Sequence, residues 1–68
     1  MEALKELDRV SIPEYLAQSR GVYSCGTIVW YVPGATFATV ECLKIDDNKD
    51  GLKTEVIDIN VEDLTLIK

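Results

Sequence analysis

Two cysteines, Cys25 and Cys42, and an acidic run, Asp46-x-Asn48-x-Asp50-Gly51, are the residues of this chain with chemistry beyond packing. A cysteine nucleophile needs a base to take its proton and a third group to orient that base. The sequence holds no histidine, so neither thiol has the usual partner. A zinc site on the pair would draw its other ligands from carboxylates, an uncommon structural set for that metal. Both thiols are therefore expected to stay reduced and to pack as small hydrophobes. The acidic run matches the opening of a calcium loop, in which oxygens at alternate positions converge on a hard cation and Gly permits the sharp bend. The match stops there, because Ile57 stands where the bidentate Glu belongs and Lys53 where an apolar residue belongs. Asp46, Asp47, Asn48 and Asp50 read instead as an acidic hairpin turn, since Asp, Asn and Gly are what a tight turn selects. Glu55, Asp58, Glu62 and Asp63 read as a solvated rim, with no spacing that marks one as general acid and another as base. No cofactor, no metal and no enzymatic activity are expected.

The aromatic residues point to a different kind of function, and the strands that carry them organise the chain. Three strands joined by two turns are expected over 24–32, 37–45 and 52–59. Pro33-Gly34 makes the first turn: Pro presets φ at the first central position, and Gly accepts the positive φ that a type II turn requires at the second. Centring the hairpin on that pair sets Trp30 opposite Phe37, Val29 opposite Ala38, Thr27 opposite Val40 and Cys25 opposite Cys42. Such a cysteine pair would be close enough for a disulfide in an oxidising compartment. The acidic turn sets Val40 opposite Ile57 and Ala38 opposite Ile59. One face is then Val29, Ala38 and Val40, and the other is Ile28, Trp30 and Phe37 with an aromatic cross-strand pair.

A sheet this small cannot enclose every large ring, so Ile28, Trp30 and Phe37 are the expected interaction surface, with Tyr23 and Tyr31 nearby. Three covers compete for it: the N-terminal segment with Leu4 and Leu7 as a lid, a second copy across a two-fold axis, or a foreign protein.

The flanking segments are shorter. Met1 to Leu7 either starts a helix or leads into the first strand, and Asp8 to Ile12 alternates with Val10 and Ile12 on one side. Pro13 ends that strand. Residues 13–23 read as a long loop in which Tyr15 and Leu16 tuck toward the core and Gln18, Ser19 and Arg20 are solvated. Asn60 to Asp63 suits one helical turn, capped by Asn60 with Asp63 in the capping-box position. Leu64 to Ile67 is a last strand.

Composition sets the frame for function. At 68 residues and 47% hydrophobic content the chain makes one small domain over 1–68, with enough apolar surface to fold. A net charge of −5 disfavours direct nucleic-acid binding, whose affinity comes from neutralising phosphates. The imbalance sits in residues 41–68, with eight acids against four bases. There is no apolar run of membrane-spanning length and no signal-peptide pattern at MEALKELDRV, so a cytoplasmic protein without membrane contact is expected.

The order of short strand, long loop, three meandering strands, one helical turn and last strand resembles an SH3-like barrel. Within that class the chain resembles a small bacterial family of unknown function. The residues that carry the likeness are Asp8-Arg9-Val10, Gly26-Thr27-Ile28-Val29, Pro33-Gly34, Val40-Glu41-Cys42 and Glu62-Asp63-Leu64. Cys42 stands where that family places an aromatic, and the second turn is longer. The likeness implies an all-β, five-stranded SH3-like barrel with one short helical turn before the last strand, and no activity. The expected function is a non-enzymatic protein-interaction module, self-associating as a homodimer or binding a foreign protein. The alternative is an acidic inhibitor or immunity-type protein that blocks a nucleic-acid enzyme by imitating phosphate charge.

Overall fold

Alternation of Val, Ile and Ala along four short segments dictates a sheet with one face apolar at its centre. The computed structural model describes residues 4–45 and 53–67. It is mostly β: β1 (Arg9–Ser11), β2 (Val22–Trp30), β3 (Phe37–Lys44), β4 (Thr54–Asn60) and β5 (Thr65–Leu66). They form one antiparallel sheet in the order β4-β3-β2-β1-β5. No ladder joins β4 to β5, so the sheet is open. Its inner face buries Val10, Val22, Ile28, Ala38, Val40, Cys42, Ile57 and Ile59, and Ile12 just beyond β1 joins them. The pattern expected for Val10 and Ile12 is present.

The chain between β1 and β2 departs from the long loop expected of it, because Glu14–Arg20 is a helix, α1. Pro13 sits at its N-cap with φ −59°, and its carbonyl accepts from the Leu16 and Ala17 amides. Gly21 ends it in the left-handed region, φ 69°, where its N–H reaches back to the Ala17 and Gln18 carbonyls. Glu14 in the first turn and Arg20 in the last complement the helix dipole. Two turns are too few to hold without tertiary contacts, and burial of Ala17 with half-burial of Leu16 supplies them. Tyr15 does not tuck inward as expected; it is exposed. Gln18, Ser19 and Arg20 are exposed, as expected.

The turn after β4 is a 3-10 turn, Val61–Asp63, in the place expected for a helical turn. Asn60 stands at its N-cap, but no side chain caps it, so the expected capping box does not form.

Register separates the two hairpins. Between β3 and β4 the expected pairing holds, with Val40 opposite Ile57 and Ala38 opposite Ile59. Between β2 and β3 it does not. The turn itself forms: Gly34 has φ 92° and the Ala35 amide donates to the Val32 carbonyl at 3.0 Å. Pairing begins only at Trp30 opposite Thr39, and the next pair is Ile28 opposite Val40. Val29 is the extra residue of a β-bulge. The offset puts Ile28 inside, fully buried, and Val29 outside, the reverse of the expected faces. Past the bulge the alternation resumes out of phase, so Trp30 is exposed while Tyr31 packs against the core.

Gly26 faces inward opposite Cys42. A Cβ there would stand 2.5 Å from the Glu41 carbonyl oxygen, 2.7 Å from Val40 Cγ1 and 2.9 Å from Cys42 Sγ. Only glycine lets β2 approach β3 this closely, and the Cys42 thiol fills the space beside it.

Candidate interaction surface

The outer face of the sheet is the candidate site, and its members follow from the pairing. Arg9, Thr27, Glu41 and Val56 lie in one row across β1, β2, β3 and β4. The next row toward the hairpin tip holds Trp30, Thr39 and Asp58, and beyond it Phe37 lies opposite Asn60. Trp30 and Phe37 are thus diagonal neighbours rather than directly opposed, and they still stack, with centroids 5.3 Å apart and planes inclined by 27°. The pair is only partly covered: Trp30 is 40% and Phe37 38% exposed. Val29 and Val32 beside them are exposed as well.

Hydroxyl groups tie the acids of this face down. Thr39 Oγ1 donates to Asp58 Oδ1 at 2.8 Å, and Thr54 Oγ1 donates to Glu41 Oε2 at 3.1 Å. At the end away from the tip, Arg9, Tyr23, Cys25, Leu43 and their neighbours line an open groove of about 440 Å³.

Of the three residues expected to form the surface, two are on it. Trp30 and Phe37 come together, whereas Ile28 belongs to the core, because the bulge turns it inward. Among the described residues no lid forms over the rings: Leu4 packs against the core, and Leu7, held at φ 76° with its amide donating to the Ile28 carbonyl, is 79% exposed. Asp46, Asp47, Asn48 and Asp50 lie outside the described residues, as does the start of the N-terminal segment. Sequence reasoning passed over Arg9, Leu43 and Val56. The last two carried a usable signal: once Val40 and Ile57 face inward, strict alternation sends them outward.

The cysteines are not cross-strand partners. Cys25 pairs with Ser11 of β1, its thiol in the outer groove 4.0 Å from Arg9 Nη2, while Cys42 lies on the inner face opposite Gly26. The two thiols occupy opposite faces of the sheet, and both are free. Burial pushes the Cys42 thiol up to about 11, with Cys25, Glu55 and Glu41 adding in the same direction. A protonated, enclosed thiol packs and does not attack.

On the inner rim, Glu55 receives Arg20 at 3.0 Å and Lys44 at 3.6 Å, which ties the end of α1 to β4. Among the described residues no helix is long and apolar enough to cross a membrane. No protein-family model, curated protein or solved structure matches the chain.

Proposed function

We propose that the chain is a small SH3-like barrel that works as a non-enzymatic protein-interaction module and meets its partner through the outer face of the sheet. The observation that carries the reading is the Trp30–Phe37 stack, ordered by the bulge yet left more than a third exposed. A small domain has little apolar material to spare, and two large rings on its surface serve contact better than stability.

The barrel reading rests on chain length. The β4 and β5 strands are opposite edges of the sheet, yet only residues 61–64 join them. Five steps of chain span at most about 18 Å, and less through a 3-10 turn, while the edges of a flat five-stranded sheet lie about 19 Å apart. So short a link supports a sheet whose edges curl toward each other.

The face offers rings, aliphatic groups, hydroxyls and the charges of Arg9, Glu41 and Asp58, and the group beside its Cys25 thiol is the Arg9 guanidinium, not a base, which is why the module is read as binding and not catalytic. The reading is tested in the cell with a photo-reactive amino acid at position 29, in the patch, and at position 15, exposed on α1 at the opposite end of β2. Illumination should yield a discrete adduct, to a copy of the chain or to another protein, from position 29 and none from position 15. Equal yields from both positions, or none from position 29, would overturn it.

A further inference from the structure

We infer that the outer face is a contact between two copies of this chain, packed sheet to sheet about a two-fold axis that lies in the interface and runs along β2. The inference deepens the interaction-module reading and rests on it. The charges of the face are arranged to complement themselves. Arg9 on β1 and Glu41 on β3 stand in one row on either side of Thr27 on β2. Rotation about an axis along β2 exchanges the β1 and β3 sides, so Arg9 of each copy comes to lie over Glu41 of the other.

Neither group is in an ion pair among the described residues. Among the described residues the polar contact of Arg9 is the Cys25 thiol at 4.0 Å, and that of Glu41 is the Thr54 hydroxyl. The same rotation brings the Trp30 side of β2 against its own copy.

Little of the overall charge lies on this face. The chain carries −5, which opposes association of like molecules. On the outward positions of β1 to β4 the charged residues are Arg9, Glu41 and Asp58, one base against two acids, and exposed apolar groups, Val29, Trp30, Phe37, Leu43 and Val56, lie among them. Four strands about 4.8 Å apart and about six residues long give a footprint on the order of 400 Å². Over both copies this is about 800 Å², below the standard interface size, and corresponds to a weak, reversible dimer rather than an obligate one.

Sedimentation equilibrium of the full chain tests the pairing up to about millimolar concentration. Wild type should dimerise reversibly. Arg9→Glu and Glu41→Arg should each raise the dimer Kd about tenfold or more, because each change acts twice across the axis, and the double variant R9E/E41R should return it to near the wild-type value. Thermal melts of all four proteins establish that each is folded. A wild type that stays monomeric, single reversals that leave Kd unchanged, or a double variant that is no tighter than the singles would each overturn the inference. A monomeric wild type that still gives an adduct to a different protein from position 29 would remove the second copy and leave the interaction module standing.

Discussion

Replacing Ile28 and Val29 one at a time tests the bulge, since the two residues exchange places if β2 slips by one. In the structure Ile28 is fully buried opposite Val40, and Val29 is 41% exposed. A domain of 68 residues has about 3 to 10 kcal/mol of stability in total. Ile28→Ala, at about 2 to 5 kcal/mol, could abolish folding and leave nothing to measure. Ile28→Val removes one methylene and should cost about 1 kcal/mol, within the 0.5–1.5 range for that change at a buried site. Val29→Thr keeps the branched Cβ that strands favour and adds a hydroxyl. On the outside this should shift stability by no more than about 0.5 kcal/mol, whereas burying the hydroxyl would cost about 1 to 3 kcal/mol. With a urea m-value of about 1 kcal/mol/M for so small a chain, Ile28→Val should lower the midpoint by about 1 M and Val29→Thr by no more than half of that. The opposite order, with Val29→Thr the more damaging, would refute the bulge and restore the register in which Trp30 faces Phe37 directly.

Gly26→Ala should destabilise by about 2 kcal/mol or more in the same urea assay, and adding Cys42→Ala should not rescue it, because the closest obstacle is the Glu41 backbone carbonyl. Gly21→Ala should cost about 1 kcal/mol through the left-handed φ of 69° at the end of α1, seen as lost helical circular dichroism and a lower midpoint; no change would argue against that cap. Cys25 should react with a maleimide in the folded protein and Cys42 only after denaturation, as read by mass spectrometry; equal rates would contradict burial of Cys42. The Cys42 thiol stays protonated in the folded chain up to about 11 against 9.0 for an unperturbed thiol, so between those values the folded state holds more protons than the unfolded one and stability falls as pH rises. Cys42→Ala should lose that part of the alkaline slope, and an unchanged slope would sink the assignment.

Which parts of the fold could be read from residues alone depends on where the alternation runs unbroken. Val40, Ile57, Ala38 and Ile59 alternate in phase on β3 and β4, and their pairing follows from hydrophobic pattern alone. The Pro33-Gly34 turn was equally legible, yet it does not set the β2–β3 register, because an extra residue at Val29 intervenes and nothing in a run of Ile, Val and Trp marks a bulge. The α1 helix had its punctuation, Pro13 before and Gly21 after, but seven residues are too few to show a helical period. Trp30 and Phe37 were found as a surface pair, while Ile28 was misplaced by the same slip.

The bulge at Val29 acts as a change of parity within a single strand. Up to Ile28 the inward positions of β2, Val22, Gly26 and Ile28, answer to the volume of the core, and from Trp30 onward the assignment of inside and outside is reversed. A one-residue insertion or deletion in this short stretch therefore exchanges the fates of Trp30 and Tyr31, sending one ring inward and the other out, without replacing any side chain of the central core. The tip of the hairpin can change what it displays by indel while the stem keeps its sequence. Fold stability and surface identity are thereby encoded in adjoining segments of one strand that can vary separately.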